Sequence, residues 1–217
     1  MRIVVLADIH GNLKSLKTLD RPLRQADVVL LAGDITDFGD AGCAAEIVEH
    51  IRRRCGRVLA VPGNCDPPPV DRWLTEAGIN LHGRAVNIDA WWFIGVGGAL
   101  SGTGGFPNAS GEQLFAEALE GAYSQCGQTD RLVMVSHQPA WQTALDAVAP
   151  GRYAGNRAIR TFIDRTHPKL AVSGHIHEII GTDRLGSTTL VNPGPARQGR
   201  WAQIDLTAAY PDVRLFP

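Results

Sequence analysis

The chain has little of what marks several broad classes of protein. Its four cysteines, Cys43, Cys55, Cys65 and Cys126, are scattered, with no Cys-x-x-Cys pair. That argues against a disulfide scaffold and suits a reducing compartment. No Lys/Arg run exceeds Arg52-Arg53-Arg54, and 21 basic residues stand against 22 acidic ones, so no nucleic-acid-binding face is visible. The triplet follows the apolar-periodic segment Ala44–Ile51 and is expected to be the solvated end of a helix, where the macrodipole favours cations. No apolar stretch approaches a membrane span, and the first one is too short for the core of a signal peptide. These absences lead to the expectation of a cytoplasmic protein that does not enter membranes. There is also no internal repeat and no linker. With 217 residues and 44% apolar content, a single domain over residues 1–217 is expected to bury its own core.

What is present is a series of short apolar runs. Ile3–Ala7, Val28–Ala32, Val58–Val61, Leu132–Val135 and Leu170–Val172 are continuous rather than alternating, the pattern of strands buried on both faces. In the first third they alternate with helical segments at Leu13–Leu23, Cys43–Arg54 and Val70–Ala77, which predicts right-handed βαβ units and a mainly parallel sheet. Ala85–Ile88 and Trp91–Val96 flank Asp89-Ala90 and read as a hairpin. From Gly95 to Gly111 the chain is rich in Gly, Ser, Thr and Pro without periodicity. A loop of that length is usually functional, and residues Gly97–Pro107 are expected to border a site. A helix over Glu112–Tyr123, capped by Ser110, another over Asn156–Thr166, and short antiparallel strands from Ile179 to Leu215 complete the reading. The order fits an α/β four-layer αββα sandwich, two mixed sheets packed face to face with helices outside.

The apolar runs lead into short polar signatures: Asp8-Ile9-His10, Gly33-Asp34, Gly63-Asn64, Ser136-His137 and Gly174-His175-Ile176-His177. Ligands of open α/β folds gather beyond the carboxyl ends of strands, so five strands deliver oxygen and nitrogen donors to one edge. Gly33, Gly63 and Gly174 precede donors and allow sharp turns there. Mixed Asp/Asn/His ligation suits Mn, Fe, Zn, Co or Ni better than Mg, which favours all-oxygen shells. Arg157, Arg160 and Arg197 are candidates for gripping an anionic group, and Trp91, Trp92, Trp141 and Phe106 for stacking on a ring. His50, His82 and His167 lie outside every signature and are expected to be structural.

These signatures, in this order, resemble the calcineurin-like metallophosphoesterase superfamily from about Ile3 to Gly194. Gly63-Asn64-Cys65-Asp66, Ser136-His137-Gln138-Pro139, Gly174-His175-Ile176-His177-Glu178 and Asn192-Pro193-Gly194-Pro195 are similar to the small bacterial and archaeal phosphodiesterases within it. The resemblance implies the αββα architecture and two divalent metal ions. Asp8, His10, Asp34 and His177 would hold one, and Asp34, Asn64, His137 and His175 the other. Asp34 would bridge them, and Asp34, Asn64 and His137 are the candidate catalytic residues. Paired ions share a water, lower its pKa and make the bridging hydroxide that attacks phosphorus.

One departure carries information. Many superfamily members have Gly-Asn-His, with the His protonating the leaving group, where this chain has Gly63-Asn64-Cys65. A thiol is a poorer acid for that task than imidazolium. Asp37, which would orient such a His, is expected to lack its partner. Phosphodiesters need less proton assistance than alkyl monoesters, so a small-molecule phosphodiesterase is preferred, with Cys65, Asp66 and Arg197 as candidate substrate contacts. The alternatives are a non-catalytic scaffold of the same fold, a nuclease, or a phosphomonoesterase.

Overall fold

A computed structural model of the protein describes residues 1–102, 105–127, 129–207 and 210–217. In the first of two main sheets, Arg2–Leu6 is central and pairs in parallel with Val28–Ala32, which pairs in parallel with Val58–Val61. On its other side lie Trp201–Asp205 and then Asp212–Phe216, both antiparallel to their neighbours. The second sheet runs Gly181–Leu185, Thr188–Asn192, Leu170–Val172, Leu132–Ser136, Trp91–Val96, Ala85–Ile88. Its four inner strands are parallel and its two edge strands antiparallel.

Side chains alternate across each strand, and this sorts the core into three apolar layers. Ile3, Val5 and Ala7 point between the sheets with Val28, Leu30, Phe93, Val133 and Val172. Val4 and Leu6 point the other way, with Val29 and Leu31, onto helical residues such as Leu16, Ile47, Ile51 and Leu74. Ile94, Val96 and Met134 leave the second sheet on its outer side and meet Phe115, Leu119, Ile159 and Phe162 of two further helices. Helices therefore cover both outer faces, and the four-layer αββα sandwich follows. Among the described residues, no helix is long and apolar enough to cross a membrane.

Local details differ from the sequence reading where a single residue intervenes. The helix expected over Leu13–Leu23 breaks into Leu13–Leu16, a 3₁₀ turn at Lys17–Leu19, and Asp20–Gln25. Pro22 has no N–H to donate into a continuous helix and is tolerated only near the start of a new one. The helix Glu112–Tyr123 is capped by Gly111 without a side-chain hydrogen bond, because Ser110 pairs instead in a two-residue ladder with Leu100. The helix expected over Asn156–Thr166 runs over Arg157–Thr166, and Asn156 is its cap, accepting from Ala158 N and Ile159 N. The hairpin turns at Asp89 (φ 48°) and Ala90 (φ 66°), both left-handed as a two-residue type I′ turn requires. The tail is not one antiparallel run. Thr188–Asn192 enters the second sheet parallel to Leu170–Val172, and the chain then crosses to the first sheet. Residues 208 and 209 of that tail lie outside the described residues.

Candidate metal centre

All five signatures stand at the carboxyl ends of their strands, along one edge of the two sheets. Four of their donor residues occupy left-handed backbone: Asp8 (φ 54°), His10 (φ 47°), Asp34 (φ 48°) and His175 (φ 71°). Each such residue costs about 1–3 kcal/mol and persists only where its surroundings enforce it. Here the enforcement is a web of hydrogen bonds between neighbouring turns. Asp8 N donates to Gly33 O at 3.1 Å and His10 N to Asp34 O at 2.9 Å. Cys65 N donates to Asp34 Oδ1 at 2.8 Å, and His175 N reaches both Asp8 carboxylate oxygens at 3.1 and 3.2 Å.

The glycines ahead of the donors make room for the donors of other strands. A Cβ on Gly33 would lie 2.3 Å from His137 Nδ1, one on Gly63 2.0 Å from Asp34 Oδ1, and one on Gly174 2.7 Å from Asp8 Oδ2. Gly63→Ala must push against the Asp34 backbone, 2.1 Å away, and cannot relax by a rotamer change. Overpacking of this kind costs about 1–3 kcal/mol, so its melting temperature should fall by roughly 3–10 °C. Gly56, whose Cβ would meet open space, supplies the control. Equal melting temperatures for Gly63→Ala and Gly56→Ala would contradict this packing.

The donor atoms fall into two groups joined by Asp34. On one side, His10 Nε2 lies 3.4 Å from His177 Nε2 and 3.6 Å from Asp34 Oδ2, and His177 Nε2 lies 3.3 Å from Asp8 Oδ1. On the other, His137 Nε2 lies 3.5 Å from Asp34 Oδ1 and 2.9 Å from Asn64 Oδ1. The His175 ring sits 5.0 Å from that of His137, centroid to centroid. Donor atoms of Asp8, His10 and His177 lie within 4.8 Å of one another, as do those of Asp8, Asp34 and His137, and those of His10, Asp34 and Cys65. Asp34 thus aims one oxygen at each group. Buried lone pairs converging in this way are compensated by cations, and the Asp/Asn/His set fits divalent transition metals.

The histidine tautomers follow from the same contacts. His137 Nδ1 is 2.8 Å from Ala32 O and donates to it, leaving Nε2 turned to the donor cluster as the atom able to ligate. Burial pushes His137 down, but the charge and hydrogen bond of Asp34 outweigh it and raise its pKa to about 9. Burial likewise pushes Asp34 up, and the His137 charge, with help from Cys65 N–H and His10, leaves it well below the usual carboxylate range. His175 is held at about 4 by burial and by the His137 charge. Because the folded pKa of His137 exceeds its unfolded value, its pairing with Asp34 stabilises chelator-treated protein fully below about pH 6.5. That contribution is lost as pH rises through about 9. A cation at Nε2 must displace the proton, so Mn²⁺ added at pH 7 should release at least about one proton. Calorimetry in buffers of different ionisation enthalpy reads this, and heats independent of buffer would contradict it.

Around the donors, several expectations change. Asp37 has a partner: its Oδ1 is 3.3 Å from His10 Nδ1, so it orients the His10 ring rather than standing alone. Nothing in the sequence links positions 10 and 37; only the fold does. Asp66 is fully buried and accepts from Gly63 N, Ile35 N, Thr36 N and Thr36 Oγ1 at 2.8–3.0 Å. It ties the Asp34 turn to the Asn64 turn and is not open to substrate. Cys65 is buried among the donors, with Asn64 Nδ2 donating to its sulfur at 3.3 Å. Burial and the Asp34 charge hold its thiol far above the usual range, making it a still weaker acid. Arg197 is exposed at the rim, its Nη2 3.0 Å from His177 Nδ1.

The other arginine and tryptophan candidates are engaged elsewhere. Arg160 pairs with Asp164 and donates to Trp141 O and Gln142 O. Arg157 lies 3.6 Å over the Trp141 ring. Trp91 is buried between the sheets and Trp92 packs on the outer helices. The glycine-rich loop runs beside the centre. Gly98 N donates to Pro62 O, Asn108 N to Asn64 O, and Asn108 Nδ2 to Gly63 O. Residues 103 and 104 of that loop lie outside the described residues. His82 accepts from Gly97 N at 2.9 Å, anchoring the start of the loop.

A family model described as calcineurin-like phosphoesterase matches residues 1–178. The chain is 30% identical over 201 residues to an uncharacterised protein of Methanocaldococcus jannaschii, covering 90% of this chain and 88% of that one. It is 23% identical over 215 residues to a protein of Synechococcus sp. described as a probable cyclic nucleotide phosphodiesterase, covering 97% and 77%. Among solved structures, TT1561 of Thermus thermophilus aligns with a TM-score of 0.76 at 17% identity over 98% and 97% of the two chains, a likeness of fold.

Proposed function

The chain belongs to the calcineurin-like phosphoesterase family, and we propose that it is a dinuclear metal-dependent phosphodiesterase acting on a small-molecule ester. The observation that carries this reading is Asp34, whose two oxygens face separate histidine groups at 3.5 and 3.6 Å. Asp8, His10, Asp34 and His177 would hold one ion, and Asp34, Asn64, His137 and His175 the other. When bound, the ions supply Lewis acidity and an activated water. The chain's own residues do the rest. Asp37 and Ala32 O fix the ring orientations of His10 and His137. Asn64, held by the Asp66-braced turn, presents its amide oxygen beside His137, and Arg197 at the rim offers a guanidinium to the phosphate. Ligand geometry held by such outer contacts is worth about 10- to 100-fold in metal affinity or activity.

The preference for diesters rests on Cys65, which gives the leaving group no competent acid. The description of the Synechococcus relative as a probable cyclic nucleotide phosphodiesterase supports the same side. The reading also takes residues 1–217 as one cytoplasmic domain, with Mn, Fe, Zn, Co or Ni as the metal. A scaffold would have no need for the intact donor set, and a nuclease would need a basic stripe. The test is hydrolysis by metal-loaded protein of diesters, monoesters, cyclic nucleotides and dinucleotides, with a chelator control. Chelator-sensitive diester turnover exceeding alkyl-monoester turnover supports the reading; no turnover of any ester overturns it.

A further inference from the structure

Two phenylalanines meet where the sequence gives no reason for them to do so. Phe38 follows the Asp34 turn, and Phe106 lies in the glycine-rich loop, yet their rings stack with centroids 6.4 Å apart and planes only 8° from parallel. Both stay exposed despite this contact, Phe38 at 57% and Phe106 at 39%. Exposed apolar side chains scattered singly need no explanation. A near-parallel aromatic pair from two distant segments does, and its position gives one.

Each ring is tethered to a different side of the donor cluster. Phe38 directly follows Asp37, whose carboxylate contacts His10. Phe106 stands two residues before Asn108, which donates to Gly63 O and Asn64 O. At 3.8 Å per residue step, neither ring can lie far from the turns that carry the donors. Phe38 also has φ 58°, a backbone region that a bulky residue adopts only when held there. The polar mouth of the centre therefore carries two near-parallel aromatic rings, open to solvent and beside the donors.

We propose that Phe38 and Phe106 form a stacking platform that selects phosphate esters bearing a planar aromatic group, an aryl ring or a nucleobase. This rests on the phosphoesterase reading of the centre and names the class of its substrate. The phosphate sits at the metal donors, and the ester substituent lies against the rings. Stacking recognises a π-face rather than a hydrogen-bond pattern, so different rings are accepted. Alkyl substituents lose the contact.

Two readouts keep this proposal separable from the reading it rests on. The first is binding of thymidine 5′-phosphate, phenyl phosphate and methyl phosphate to the Mn²⁺-loaded full chain by calorimetry. The aromatic pair should bind roughly tenfold or more tighter than methyl phosphate, the scale of base stacking on one aromatic side chain. That advantage should collapse in Phe38→Ala and Phe106→Ala and return in Phe38→Tyr. If thymidine 5′-phosphate alone gains, the platform is a nucleobase site; if phenyl phosphate gains equally, it is a general aryl site. The second readout compares phenyl p-nitrophenyl phosphate with methyl p-nitrophenyl phosphate, which share a leaving group. Their kcat/KM ratio should fall about tenfold in either alanine variant. Equal affinities for the aromatic and methyl phosphates in the unmodified protein overturn the platform, whatever the hydrolysis result. An aromatic preference without hydrolysis of any ester overturns the phosphodiesterase reading and leaves the platform standing.

Discussion

Asp34→Asn should lower diester kcat/KM by at least a hundredfold while leaving the fold nearly intact. The carboxylate is buried, and it directs Oδ2 toward His10 and Oδ1 toward His137. An amide keeps one acceptor for Cys65 N, which now donates to Oδ1 at 2.8 Å, so the local backbone retains its hydrogen bond. What disappears is a full negative charge shared by both donor groups, and with it the field that offsets divalent charge in a site of low dielectric. A hundredfold loss is about 2.7 kcal/mol of barrier, modest for a ligand to two ions. His137 should also lose its raised pKa, since burial pushes it down and the Asp34 charge is what chiefly holds it up. Activity above about a tenth of the original, under 1.4 kcal/mol, would contradict a bridging role. Loss of activity together with loss of the circular dichroism spectrum would point to unfolding instead.

The second large effect is a gain. Cys65→His should raise turnover of alkyl esters by about 10- to 100-fold, at or below the bottom of the roughly 10²–10⁴-fold that general-acid catalysis supplies, and raise aryl-ester turnover much less. Cys65 lies among the donors, where burial opposes charge but Asp34, Asp66 and Asp37 contribute negative potential. The carboxylates that make a thiolate unfavourable there favour an imidazolium, which can donate. Asp37 is not idle, however: it already orients His10. The new ring must share that carboxylate, which is why the gain is set at the lower end. An aryl leaving group departs with little proton assistance, so its kcat/KM serves as the internal control. Equal gains for both esters, or none, would mean that position 65 only packs.

The donors are legible in the sequence because each lies at the end of a buried apolar run, and such runs fix both direction and edge. The hairpin at Asp89-Ala90 and the helix that follows Asn156 are legible for similar local reasons. What escapes depends on contacts between segments far apart in the chain. The role of Asp66 is set by donors at positions 35, 36 and 63, so a carboxylate next to the signature looks like a substrate contact. The partner of Asp37 lies 27 residues away. Phe106 is a stacking candidate in the sequence, but its pairing with Phe38 is not legible there, since the two come from separate segments. The split of the tail between two sheets is hidden too, since a short strand reads alike whichever sheet it joins.

Everything proposed for the centre depends on two divalent ions sharing Asp34. A crystal structure of Mn²⁺-soaked protein with anomalous scattering, supported by metal content per chain in solution, measures this most directly. Two anomalous peaks about 3.5–4 Å apart are expected, one oxygen of Asp34 on each ion, with Asp8, His10 and His177 on one side and Asn64, His137 and His175 on the other. A single ion, or ions placed away from Asp34, would contradict it.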